Sequence, residues 1–174
     1  MFTGAMIAAI LVAAVLGYAA TRPDAFRVAR SQRVQAPPER IFELINDFHQ
    51  WAVWSPWEKL DPAMTKSYTG AASGKGAVYA WAGNRKAGEG RMEITDTVPG
   101  SRVVIKLDFL KPFEGHNTAE FGLEVEDKFT NVTWTMSGPV PYPMKLTTMF
   151  FSMDGLVGKD FETGLTNMKA IAEN

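Results

Sequence analysis

The chain has 174 residues, no cysteine, 18 basic and 19 acidic residues, and a formal net charge of −1. Without cysteine there is no disulfide scaffold and no thiolate-ligated zinc, a composition that fits a reducing compartment. Near-neutral charge with no dense Lys/Arg block argues against a nucleic-acid partner.

The first element is apolar throughout. Phe2 to Ala20 contains no charged residue and is built on Ile7, Ile10, Leu11, Val12, Val15 and Leu16. At about 1.5 Å per helical residue the run reaches roughly 28 Å, close to the hydrocarbon thickness of a bilayer. It predicts a transmembrane anchor over residues 1–21, with membrane contact through residues 2–20, and a single domain over residues 22–174. Beyond the span stand Arg22, Arg27, Arg30 and Arg33 against the single acid Asp24. Lys and Arg near a span tend to stay in the cytoplasm, so the expectation is a single-pass inner-membrane protein with a cytoplasmic domain. The alternative is a signal peptide cut after Ala19 and a periplasmic or exported domain, although no Lys or Arg precedes the apolar run. Gly4, Ala8, Ala9, Ala13 and Gly17 would allow close helix–helix approach, which leaves room for a membrane-protein partner.

Pro23 ends this helix, since proline cannot continue the hydrogen-bond ladder. Phe26–Val34 alternates and holds β-branched and aromatic residues, which predicts a strand. Pro37-Pro38 opens a helix with Ile41, Phe42, Leu44 and Ile45 as its apolar face. Asp47–Trp57 is aromatic-rich and broken by Pro56, a short second helix or an ordered loop. From Met64 to Gly138 the period becomes two. Tyr79 and Trp81 share a face. Met92 and Ile94 alternate with Arg91 and Glu93. Val103, Ile105, Leu107 and Phe109 alternate with Arg102, Lys106 and Asp108. Ala119, Phe121 and Leu123, and then Val132, Trp134 and Met136, repeat the pattern. With turn signals such as Pro99-Gly100, this predicts a curved antiparallel sheet wetted on one side.

Leu146, Met149, Met153, Val157, Phe161, Leu165, Met168 and Ile171 then recur at gaps of three or four, one long terminal helix with an apolar stripe. Gly155, Gly158 and Gly164 interrupt it. Each costs roughly 1 kcal/mol against alanine in a helix interior, so a kink or a close approach is expected there. A strand, two short helices, about six strands and a long helix together make an α+β fold, with the last helix across the apolar face of the sheet.

The order of elements and the run Ala36-Pro37-Pro38-Glu39-Arg40-Ile41-Phe42 resemble the SRPBCC, or START-like, superfamily, in its polyketide cyclase/dehydrase-type branch. Asn46–Trp51, Trp54–Glu58, Gly88–Ile94 and Phe109–Phe113 are similar to stretches of one bacterial branch. The resemblance runs from about Phe26 to the C-terminus. It implies a helix-grip fold, in which the sheet wraps the C-terminal helix and leaves a deep apolar cavity. No catalytic constellation of the superfamily carries over residue by residue.

Polar candidates are few. His49 and His116 have no ligand spacing for a metal, and no cofactor is expected. Arg91 and Glu93 alternate with Met92 and Ile94, which points them to solvent rather than into a cavity. Ser55 and Ser152 lack a His-Asp partner pattern, so no nucleophile is supported. Asn131-Val132-Thr133 matches a glycosylation acceptor but falls mid-strand. Trp51, Trp54 and Trp57 recur at gaps of three. They suit a pocket rim, a membrane interface or plain core packing.

The expected function is a membrane-anchored binding protein for a hydrophobic small molecule: a lipid, an isoprenoid or a polyketide-like compound. Trp54, Trp57, Tyr79, Trp81, Phe109, Phe121, Trp134, Met149 and Met153 are the expected cavity lining. The cavity should fall in the 300–1,000 Å³ usual for ligand pockets. The alternatives are an accessory subunit of a membrane complex and a cyclase- or hydrolase-like enzyme, which would need a charged or hydroxyl group inside the cavity.

Overall fold

The computed structural model describes residues 2–148 and 151–174. Helix α1 (Phe2–Ala20) leads into strand β1 (Ala25–Val34) and helix α2 (Pro38–Asn46). A 3-10 turn (Phe48–Gln50), helix α3 (Trp51–Trp54) and a second 3-10 turn (Pro56–Lys59) follow. Six strands then run consecutively: β2 (Thr65–Gly70), β3 (Ala77–Ala82), β4 (Glu89–Val98), β5 (Arg102–Lys111), β6 (Gly115–Glu126) and β7 (Phe129–Pro139). All seven strands form one antiparallel sheet in the order β1-β7-β6-β5-β4-β3-β2. The chain therefore meanders from β2 to β7 and is closed on the far side by β1.

The alternation seen in the sequence is what the sheet uses. On β7, Thr130, Val132, Trp134 and Met136 are buried, while Asn131, Thr133 and Thr135 between them are partly exposed. Val103 and Ile105 of β5 lie opposite Phe121 and Ala119 of β6, so the apolar rows meet on the inward face. Arg91 and Glu93 stand on the wetter face as expected, each more than a third exposed and paired at 2.8 Å.

The C-terminal stripe is not one helix. It is split into α4 (Tyr142–Thr147) and α5 (Met153–Ala172). Pro141 and Pro143 start α4. Ser152 then takes an extended backbone, and its side chain accepts from the Gly155 amide at 3.0 Å, an N-cap that starts a new helix. Met149 falls between the two helices, outside the described residues.

Helix α5 lies on the sheet and buries Phe161, Leu165 and Met168. Each such side chain contributes about 1.5–3 kcal/mol by leaving water. Two of its glycines are explained by close approach rather than by a kink. A Cβ at Gly158 would come within 2.2 Å of Arg30 Nη2, and one at Gly164 within 2.9 Å of Trp134 Cζ3. Arg30 of β1 uses that space to donate to Asp154 Oδ1 and Glu162 Oε1, each at 2.7 Å, which ties the edge strand to α5.

Helix α1 stands apart from this core. Its Ile10, Leu11 and Val12 are each about 60% exposed. Its last turn touches α4 through Tyr142, whose hydroxyl donates to Leu16 O at 2.8 Å. Among the described residues no helix is long and apolar enough to cross a membrane, so the structure lends the predicted transmembrane span no support of its own.

Candidate ligand cavity

The first glimpse of a site comes from α3 and the turns around it. Trp51 and Trp54 face inward, and their indole N–H groups donate to Ile45 O (3.0 Å) and Leu44 O (2.8 Å), satisfying polar atoms that burial would otherwise penalise. Both rings approach Trp134 of β7, as does Trp57, with centroid distances of 6.3, 5.5 and 5.4 Å. Trp134 is itself sandwiched. Phe161 stacks on it at 4.2 Å and Phe121 at 4.7 Å. Trp51, Trp54 and Trp134 are buried in the core, and Trp57 is partly buried against it.

Between this aromatic cluster, the concave sheet and the first turns of α5 lies a cavity of about 210 Å³. It is smaller than the 300–1,000 Å³ expected, because the stacked rings of Trp134, Phe161 and Phe121 fill space that smaller side chains would leave open. Of the side chains predicted to line it, Trp57, Tyr79, Trp81, Phe109, Trp134 and Met153 do so. Trp54 and Phe121 do not: both are fully buried, Trp54 fixed by its bond to Leu44 and Phe121 stacked against Trp134. Met149 lies outside the described residues.

Sequence reasoning missed part of the wall. Met92, Leu107 and Met136 come from the inward rows of β4, β5 and β7, and the period-two pattern already carried that signal. Leu60 and Leu156 also line the space and are 39% and 59% exposed, which marks an apolar mouth. Ser55 and Glu58 had no such signal. Both line the cavity, and Ser55 is only 2% exposed.

Glu58 is held in place from two strands. Tyr79 Oη of β3 donates to Glu58 Oε1 at 2.7 Å, and Lys66 Nζ of β2 pairs with Oε2. Only 7% of the Glu58 side chain is exposed. Burial, reinforced by the bond to Glu58, pushes the Tyr79 hydroxyl well above the ordinary tyrosine range, so it stays protonated and serves as a donor. The other notable polar atom is Trp134 Nε1, buried with no hydrogen-bond partner among the described residues.

The two histidines play local roles. His49 Nδ1 lies 2.8 Å from Asp47 Oδ1, and its ring stacks on Tyr68 at 4.1 Å. His116 lies inside β6 rather than before it, with Nδ1 2.7 Å from Asp108 Oδ1. No group of three or more candidate metal ligands occurs among the described residues.

The His116–Asp108 pair carries a pH prediction. The hydrogen bond to Asp108 holds His116 above its ordinary value. Desolvation would raise Asp108, but the bonds from His116 and Lys106 outweigh it and hold the carboxyl low. A raised histidine stabilises fully below its unfolded value and loses that contribution as pH rises through the folded one. A lowered aspartate stabilises above its unfolded value and loses that as pH falls. The pair therefore helps most between about pH 4 and about pH 6.5. Thermal melts should show wild-type Tm falling between about pH 5.5 and about pH 8.5 by more than His116→Ala does. Equal slopes would remove the pair from the pH response.

The profile described as "Polyketide cyclase / dehydrase and lipid transport" matches residues 25–173. The chain belongs to this family. No curated protein matches the sequence significantly. Among solved structures, a protein of Chromobacterium violaceum is similar with a TM-score of 0.56 at 16% identity, over 88% of this chain and 99% of that one. A protein of Mesorhizobium loti gives 0.60 at 14% identity, over 86% and 100%. The di-domain ARO/CYC protein BexL from the BE-7585A biosynthetic pathway gives 0.61 at 16% identity, over 90% of this chain and 53% of that one. At these identities the likeness establishes the fold, which is the helix-grip arrangement of this polyketide cyclase/dehydrase and lipid transport family.

Proposed function

We propose that this protein is a membrane-tethered binder of a hydrophobic small molecule: a lipid, an isoprenoid or a polyketide-like compound. The observation that carries the reading is the cavity between sheet and α5, walled by Trp57, Trp81, Phe109 and Trp134 and opening past Leu60 and Leu156. Such a space holds an apolar ligand by burial, at about 25 cal/mol per Å². The family description, which names cyclases, dehydrases and lipid transport together, supports a ligand of that kind.

The tether is part of the same proposal and rests on the sequence. Residues 2–20 anchor the chain in the inner membrane, and the domain stands in the cytoplasm beside Arg22, Arg27, Arg30 and Arg33. The contact between Tyr142 and Leu16 bears on where the domain sits relative to α1. It holds α4 against the end of α1, and α4 leads within a few residues into Met153, Leu156 and Val157 of the cavity wall. A cavity mouth near the lipid surface raises the local concentration of a ligand that partitions there.

The enzyme reading has one observation in its favour, the Glu58–Tyr79 pair in the wall. Yet burial and the bond to Glu58 keep Tyr79 protonated far above neutral pH, so it is not poised to give up its proton. The full chain should pellet with membranes and resist an alkaline carbonate wash, and a cytoplasmic reporter fused to its C-terminus should be active. Release by the wash, or activity of a periplasmic reporter instead, would contradict the tether as described.

A further inference from the structure

We propose that the cavity recognises a neutral hydroxyl, an alcohol or phenol on an apolar skeleton, whose O–H is donated to the Glu58 carboxylate. The inference rests on the binding function proposed above and narrows its ligand class. Glu58 lines the cavity with only 7% of its side chain exposed. A carboxylate offers about four acceptor positions. Two donors occupy it here, Tyr79 Oη on Oε1 and Lys66 Nζ on Oε2, which leaves acceptor capacity in a wall otherwise made of aromatic and aliphatic groups. Ser55, three residues earlier, is a second polar member of the same wall.

The charge arrangement selects among donors. Lys66 balances Glu58 but is not among the residues lining the cavity, and 29% of its side chain is exposed. The pair is neutral as a whole, so a ligand cation gains little net attraction. A ligand carboxylate would lose its hydration on entering the apolar space, and its oxygens would meet in Glu58 an acceptor rather than a donor. A hydroxyl brings no charge and supplies the proton that Glu58 can accept.

The test uses the full chain in lipid nanodiscs and equilibrium dialysis with three probes on one skeleton: naphthalene, naphthol and naphthoate. Ala119→Trp, which fills the cavity, is the blank for partition into lipid. Wild type should bind naphthol about tenfold more tightly than naphthalene, with naphthoate weakest. Glu58→Met should bind the two neutral probes alike, and its naphthalene binding reports that it has folded. If it does not fold, Glu58→Gln takes its place and should cut the naphthol preference to a few-fold, that of a neutral acceptor. Equal binding of naphthol and naphthalene by wild type, or survival of the full tenfold preference without the Glu58 carboxylate, would each overturn the inference. Failure of every probe to bind above the Ala119→Trp blank would instead overturn the binding function beneath it.

Discussion

Trp134→Ala should destabilise the domain by about 3–5 kcal/mol, a fall in Tm on the order of 10 °C for a domain of this size. The indole is 3% exposed, stacked by Phe161 on one side and Phe121 on the other, and met edge-on by Trp51, Trp54 and Trp57. Removing it strips partners from five rings and opens a void continuous with the existing cavity. The space already present beside Trp134 keeps the cost below the extreme for a tryptophan truncation, because one edge of the ring has fewer neighbours to lose. The same change enlarges the pocket, so retention of the bound molecule should fall strongly. Calorimetric melts, with the ligand content measured on the same samples, check both effects. A Tm within a degree of wild type would mean that the aromatic stack does not hold the core together.

Ala119→Trp should do the opposite to the cavity and abolish binding. Ala119 is 3% exposed on β6, opposite Ile105 on one side and Met136 on the other, and it lines the cavity. An indole projecting from this point has only the 210 Å³ void to enter. Overpacking costs about 1–3 kcal/mol, which a domain of ordinary stability survives. An apolar ligand displaced from the space loses its burial, worth about a hundredfold in affinity. A titration of intrinsic tryptophan fluorescence reads this directly, since Trp51, Trp57, Trp81 and Trp134 all border the cavity. A binding curve unchanged in Ala119→Trp would place the ligand elsewhere.

Much of the fold was legible because its strands carry one apolar and one polar face. The rows through Val103, Ile105 and Leu107, and through Val132, Trp134 and Met136, point inward as their period requires. Neither this period nor the three-residue spacing of the tryptophans showed which side chains border the cavity. Trp54 and Phe121 are large and inward, but which inward side chain borders a void depends on how rings stack, and spacing says nothing about that. The break between α4 and α5 was hidden for a similar reason. The apolar stripe continues in phase across it, while the decisive signals are local: Pro141, Pro143 and the Ser152 cap. Glu58 was the least visible. Its inward position is set by Tyr79 and Lys66, which stand 21 and 8 residues away along the chain and meet it only after β2 and β3 have paired. His116 followed the same rule, since its partner Asp108 comes from the neighbouring strand.

The central claim is that the cavity between the sheet and α5 holds an apolar molecule. Native mass spectrometry of the full chain, released from gentle micelles after purification from its own membranes, tests it most directly. Wild type should carry an added mass that solvent extraction assigns to an apolar compound, and Ala119→Trp purified in parallel should carry none. An equal added mass on both proteins, or a wild-type chain that is bare from every membrane preparation, would contradict the account.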